Sequence, residues 1–274
     1  MASLRAVIIA GAVAIGAVSA AHAADLDLPP PPQVEAPPPP VVSGWYLRGD
    51  VGAAINTNSV YSTFAPGVFV DHPSFDQQSL STTASLGGGV GYQFNNWFRA
   101  DVTGEYFLPA SYQAIQSYGP TFCAAPGGRC FDGYTAKISE AVGLANGYFD
   151  IGTWWGVTPY IGGGVGLADV FINGLHDTDL DDITAFGTAR DSSSWHFAWA
   201  LMAGVSYSIT PNLILDFGYR YLNLGTVASN PIICNGSCTF EVQHYRLASQ
   251  DIRVGLRYVF ADIPPPAPPL VTKY

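Results

Sequence analysis

Residues 251 to 260 read DIRVGLRYVF, which puts Ile252, Val254, Leu256, Tyr258 and Phe260 on one face and Asp251, Arg253, Gly255 and Arg257 on the other. Successive side chains of a strand point to opposite faces, so a strand that is apolar on one side and charged on the other cannot sit in a sandwich with both faces dry. The pattern suits hydrocarbon outside and a polar lumen inside. At the other end of the chain, Arg5 is followed by an apolar run from Ala6 to Ala20 and by Ala21-His22-Ala23. This is the layout of a cleaved secretory signal, so residues 1–23 are expected to be removed and Ala24 to start the mature chain. The run is short for a retained membrane helix, and later apolar stretches are broken by Gly, charge or turn residues within about ten positions. Any membrane insertion must therefore use strands.

Composition agrees with a single all-β unit: 30 Gly, 15 Tyr, 15 Phe and 6 Trp accompany only 12% charged residues at 48% apolar content. So little charge suits an outer surface that faces lipid. The formal charge is −10 and becomes more negative once Arg5 is lost with the signal. Nucleic acid, whose phosphates need a basic footprint, is excluded as a partner.

Eight strands are expected: Gly44 to Asn56, about 83 to 94, 97 to 107, 136 to 150, 158 to 170, 195 to 209, 213 to 222 and 245 to 260. The fourth is the least clear, because Glu140, Val142, Leu144 and Asn146 share one parity, as a register-resetting bulge would explain. Tight turns fall at Asn95-Asn96 and Thr210-Pro211-Asn212. The connection after the fourth strand is short as well, whereas those after the first, third, fifth and seventh are expected to be loops of roughly 20 to 25 residues, and this alternation of short and long is the outer-membrane signature. A soluble lipocalin-like barrel would reverse the faces and put the aromatics inside. The aromatics sort into two girdles: Trp45, Tyr92, Phe98, Phe149, Trp154, Trp155, Tyr207, Tyr258 and Phe260 near the short turns, and Tyr106, Trp195, Phe197, Tyr219, Tyr221 and Tyr245 near the long loops. Proline-rich segments flank the barrel. Residues 24–43 are expected to be a periplasmic linker with polyproline II character, residues 44–260 the barrel, and residues 261–274 a second proline-rich tail on the same side.

Inward positions collect Arg48, Arg99, Arg220, Arg253 and Arg257 against Asp50, Asp101, Glu105, Asp216 and Asp251. An eight-stranded interior is only wide enough for side chains, so these groups read as a packed ion-pair network that plugs the lumen. The competing reading is a small-solute pore, for which the inward Gly162, Gly164 and Gly166 would leave room. Cys123, Cys130, Cys234 and Cys238 form two local pairs, and in an exported chain the even count reads as disulfides. Pairing 123 with 130 and 234 with 238 is simplest, although three connectivities are possible. Zinc is disfavoured because neither pair has CxxC spacing and no His lies close in sequence.

Asp177, Asp179, Asp181 and Asp182 have calcium-loop spacing without its Gly and Glu, so a solvated acidic loop is the better reading. His196 beside Ser192, Ser193 and Ser194 is the one Ser/His cluster. It has no evident acidic orienter, and no enzyme activity is expected from it. His72, His176 and His244 are scattered through loops, and Asn235-Gly236-Ser237 between two cysteines reads as a turn. Neither a metal nor another cofactor is expected.

GWYLRGDVG after a proline linker, NGYFDIGTWWGVTPYIGGGVG, LDFGYRYLNLG and the closing DIRVGLRYVF resemble the small surface-antigen outer-membrane barrels of alphaproteobacteria, relatives of the opacity-porin and OmpA/OmpX-like families, over about residues 44–260. The resemblance implies an eight-stranded antiparallel barrel in the Gram-negative outer membrane, inserted by the barrel-assembly machinery. It also implies roles in envelope integrity, surface antigenicity or adhesion. The partners it implies are outer-membrane lipid and lipopolysaccharide, with peptidoglycan or a host-surface ligand as further candidates. It marks Phe260, with Tyr258 two before it, as the assembly signal. In such barrels that aromatic usually ends the chain, whereas fourteen residues follow it here.

Overall fold

The computed structural model describes residues 43–68, 70, 73–119, 129–182, 184–235 and 240–260. The signal, nearly all of the linker, the 261–274 tail, His72, Cys123 and Cys238 lie outside the described residues. Eight long strands form a ring: β1 (Gly44–Thr63), β3 (Thr83–Gln93), β4 (Phe98–Tyr118), β5 (Cys130–Asp150), β6 (Val157–Asp179), β8 (Ser192–Ser208), β9 (Leu213–Ala228) and β11 (Val242–Val259). Each pairs antiparallel with its neighbour, and β11 returns to β1 from Tyr46↔Val259 to Thr63↔Val242, so the sheet has no free long edge. Closure satisfies every ladder hydrogen bond within the wall, which hydrocarbon demands of any spanning sheet. Three short strands, β2 (Ser74–Leu80), β7 (Phe186–Thr188) and β10 (Ile233–Cys234), were not expected. β2 pairs with β4, and β7 joins β6 to β10 at the loop end.

Alternation sets the faces. On β1, Trp45, Leu47, Val51 and Ile55 are exposed while Tyr46, Arg48, Asp50 and Ala54 are buried. The same two-residue period runs down β11. Between β5 and β6 a two-residue hairpin turns at Trp155 and Gly156, both at positive φ (53° and 82°). Trp154 and Val157 exchange backbone hydrogen bonds across it at 2.9 and 3.0 Å. Left-handed geometry at both central positions is the turn that matches strand twist.

Several expectations require correction. Seven of the eight strands run past their expected upper ends, β6 to Asp179 and β4 to Tyr118, so much of what reads as long loop is strand. Above the lipid the outer wall need not be apolar, and Thr57, Ser59, Ser111 and Gln113 there give no alternation against the inner face. No bulge resets β5 between Glu140 and Asp150: Val142 and Leu144 point into the barrel with Glu140 and Asn146, and the wall outside is made of Ala141, Gly143, Ala145 and Gly147. The register shifts on this strand lie higher, at Phe107/Ala110 in its pairing with β4 and at Thr135/Lys137 in its pairing with β6. Tyr245 does not belong to the upper girdle. It shares the inward parity of Arg253 and Arg257, is fully buried, and packs edge-on against Tyr112 at 5.1 Å.

The girdle near the short turns is a run of touching rings: Trp45–Tyr92, Tyr92–Phe94, Phe94–Phe98 and Phe98–Phe149 lie 5.1–5.4 Å apart. Amphipathic rings at this height anchor a barrel at the membrane interface.

Candidate functional site

The lumen gathers the charged side chains at mid-barrel. Arg48 on β1 forks onto Asp50 (Nε–Oδ2 2.9 Å, Nη2–Oδ1 2.7 Å) and donates from Nη1 to Asp101 of β4 at 2.8 Å. Arg220 on β9 bridges Glu105 (2.7 Å) and Asp251 (2.7 Å). Arg253 lies 3.5 Å from both Asp50 and Glu105, linking the two groups. Arg257 meets Asp216 at 3.2 Å and donates to Gln93 at 3.1 Å. Arg99 takes Asp150 at 3.2 Å and lies between the rings of Tyr148 and Tyr160, with its guanidinium carbon 4.2 and 4.7 Å from their centroids. All ten inward charged residues named from sequence are buried.

Sequence reasoning missed several members of this layer. Asp150, the acid on Arg99, was passed over as a strand end, although its parity matches Asn146. Tyr148 was not singled out, yet its hydroxyl accepts from Arg48 at 3.0 Å. Tyr46 donates to Asp101 at 3.0 Å, and so does the Asn146 amide at 2.8 Å. The inward glycines do not leave open space. A Cβ on Gly162 would come within 2.6 Å of the Tyr148 ring, and one on Gly164 within 3.2 Å of the Met202 methyl. A cavity lined by Arg48, Asp50, Tyr148, Tyr160, Met202 and Arg253 measures about 10 Å³, room for about one water.

A second polar cluster closes the upper mouth, above the membrane. Tyr134 donates to Glu241 at 2.8 Å and meets Tyr118 at 2.9 Å, and Ser62 donates to the other Glu241 oxygen. Burial pushes the Asp132 carboxyl up to about 7, and Asp179 and Glu241 push the same way against the lowering hydrogen bond from Tyr118. Burial, with Asp132 and Glu241 nearby, raises Asp177 to about 8. Glu241 is also raised by burial, opposed by its hydrogen bonds from Ser62 and Tyr134.

The other acids of the 177–182 run cap the loop. Asp179 accepts from the backbone of Asp181 (2.8 Å) and Asp182 (3.0 Å), and Asp182 accepts from the Thr184 hydroxyl at 2.7 Å. Among the described residues no group of three potential ligands is arranged to hold a metal. Ser194 and His196 do meet, at 2.9 Å, but among the described residues no carboxylate orients the imidazole. His244 stacks on Tyr61 at the outer wall, whereas among the described residues nothing is brought to His176 that would make a site of it. No described cysteine is free. Phe260 donates its N–H to the Trp45 carbonyl at 2.8 Å, and its ring stands edge-on to Tyr258 at 5.2 Å, exposed on the wall.

Known proteins carry the same chain pattern. An uncharacterized protein of Brucella suis is 37% identical over 224 residues, covering 77% of this chain and 78% of its own. The outer membrane protein PagN of Salmonella typhimurium is 28% identical over 79% of this chain and 90% of its own. A Rickettsia prowazekii protein described as a candidate adhesin is 22% identical over 78% and 86%. Among solved structures, the outer membrane protein OprG from Pseudomonas aeruginosa aligns over 81% of this chain and 98% of its own, at 15% identity and a TM-score of 0.46. A family model described as the outer membrane protein beta-barrel domain matches residues 10–260. Together with a closed ring of eight strands whose outer wall is apolar, the family model and the Brucella and Salmonella relatives establish that the chain belongs to the outer membrane protein beta-barrel family and resides in the outer membrane of a Gram-negative cell.

Proposed function

We propose that this barrel is a non-enzymatic envelope protein whose work is structural and surface-facing, with a lumen plugged by its own ion pairs. The observation that carries the reading is the continuous layer from Arg48 and Asp101 through Arg253 and Glu105 to Arg220, which leaves a gap of about 10 Å³. Recording from refolded protein in a planar bilayer tests it. Silent bilayers are expected, with stepwise conductance emerging in Arg99→Ala or Glu105→Ala. Stepwise conductance of the unaltered protein would replace the plug with the small-solute porin.

A second reading, adhesion through the extracellular tips, is favoured by the candidate adhesin among the relatives and by strands that carry those tips well above the lipid. Shortening the tips at 119–129 and 229–241 should abolish attachment to a host surface while the barrel still assembles. Unchanged attachment would remove this reading.

The tips carry the cysteines, and rings of 123 with 130 and 234 with 238 would limit their unfolded freedom. Both proline-rich tails belong to the periplasmic side, because Gly44 and Phe260 lie at the same end of the ring. From there the tails can meet peptidoglycan. Cleavage after Ala23, insertion by the assembly machinery through Tyr258 and Phe260, and a surface-antigen role complete the proposal.

A further inference from the structure

Above the lipid belt an exposed apolar side chain has no hydrocarbon to face. At about 3.3 Å per residue and about 45° of tilt, Thr178 near the top of β6 stands roughly 20 Å above the girdle row of Tyr106, Asp169 and Trp195. Leu180, Phe186, Ile233 and Phe240 are nevertheless 46–57% exposed at this end of the barrel. Register puts them together. β7 lays Phe186 opposite Thr178 of β6 and Thr188 opposite Ile233 of β10, and residues directly opposite share a face. Phe186 and Thr188 are exposed with Gly187 buried between them, so Phe186 and Ile233 are diagonal neighbours on the outer side. Leu180 lies over Gly133, the ladder partner of Thr178: a Cβ on Gly133 would come 3.2 Å from its Cδ2. Ile232 donates its N–H to the Glu241 carbonyl at 2.9 Å, which sets Phe240 next to Ile233. Phe240 holds φ 48°, a left-handed backbone unfavourable for an aromatic residue.

The face is held from behind and from its edge. A Cβ on Gly187 would lie 2.6 Å from Ile232 and 3.4 Å from the Asp177 Cβ. Asn235 donates to the Thr184 carbonyl at 2.8 Å and accepts from the Phe186 N–H at 3.1 Å. A face formed in advance loses little freedom on binding. Carboxylates rim it: residues 176–191 carry five aspartates against Arg190 alone. Asp181 and Asp182 follow Leu180 directly, Asp191 lies just past β7, and all three are exposed. Among the described residues none of the three meets a basic side chain. An apolar face in water with such a rim is complementary to a ligand that brings apolar side chains and positive charge together, and it repels polyanions. We infer that the β7–β10 face binds a cationic amphipathic peptide, its apolar residues on Leu180, Phe186, Ile233 and Phe240 and its lysines or arginines on Asp181, Asp182 and Asp191.

The inference rests on neither the plug nor attachment to a surface, because a peptide in free solution is a sufficient ligand, so its failure is separate from theirs. The test uses the full mature chain in phosphatidylcholine nanodiscs, with the signal of empty nanodiscs subtracted. The probe is a dye-labelled peptide of leucine and lysine in helical amphipathic order, read by fluorescence anisotropy. It should bind, and more weakly as salt is raised, while the same peptide with glutamate in place of lysine should not. Phe186→Ser combined with Ile233→Ser should weaken the leucine–lysine peptide by about tenfold and leave the weaker binding of a lysine-only peptide unchanged. Asp181→Asn combined with Asp182→Asn should weaken both lysine peptides and flatten the salt dependence. Asparagine keeps an acceptor for the Phe131 N–H and the Thr184 hydroxyl, and assembly of each variant is checked by heat-modifiable mobility. If that pair of substitutions prevents assembly, Asp191→Asn takes its place. Equal binding of the glutamate peptide, binding untouched by both pairs of substitutions, or a preference for a soluble sulfated polysaccharide over the lysine peptides would each overturn the inference.

Discussion

At the scale of single residues, Arg220 is the side chain whose loss should cost most. It is almost wholly buried and is the partner of both Glu105 and Asp251. Arg220→Ala would strand Asp251 in a desolvated interior and leave Glu105 only its longer contact with Arg253, a change that costs about 3–5 kcal/mol when a buried pair is broken from one side. The midpoint of urea unfolding, measured on refolded protein, should fall accordingly, and an unmoved midpoint would mean the layer is wetter than its geometry implies. The mouth cluster makes a prediction of opposite character. Asp132 and Asp177 keep their protons to about 7 and about 8 in the fold, whereas an unfolded Asp ionises near 3.8. The folded mouth is therefore favoured fully below about pH 4 and loses stability as pH rises toward 8. Thermal unfolding should occur at higher temperature at pH 5 than at pH 9, and Asp177→Asn should shrink that difference. An identical pH profile in the variant would separate the cluster from stability.

At the scale of the strand, the outer wall follows the lipid and the inner wall follows its neighbours. Val51 and Leu201 are exposed in the apolar rows, and an arginine at either should destabilise the inserted barrel by about 2–4 kcal/mol at the midplane and less toward the rims. Equal cost along the row, read from unfolding midpoints of a substitution series on β1, would argue against a hydrocarbon belt there. The same division explains what could be read in advance. DIRVGLRYVF and GWYLRGDVG declare their faces because lipid and lumen impose opposite chemistries on alternate positions. β5 hid its orientation because its lumen face carries Val142 and Leu144 while its lipid face carries only small residues, which inverts the usual contrast. The upper halves of β1, β4 and β6 were invisible for a different reason: both faces are polar or mixed where water replaces lipid. Inward Arg and Asp positions followed from parity, but beyond the local Arg48–Asp50 pair, which acid an arginine takes depends on strands remote in sequence, such as β4 against β9 for Glu105 and Arg220. No local pattern carries that information.

At the scale of the whole molecule, the described strands already close the ring where Trp45 and Phe260 meet. Deleting residues 261–274 should leave assembly intact, whereas Phe260→Ala should slow it, as monitored by the appearance of the heat-modifiable band during folding in cells. Slow assembly of the truncated chain instead would move the signal into the tail. The longest strand, β6, has 23 residues; at about 3.3 Å per residue it is about 75 Å long. Tilted by about 45°, it stands roughly 50 Å tall against an apolar belt of about 25 Å. At this strand, about half of the wall thus stands clear of the bilayer as a turret. On the proposed surface-facing role, sequence drift at that crown would redraw the face presented to host cells without touching the register that lets the cylinder form.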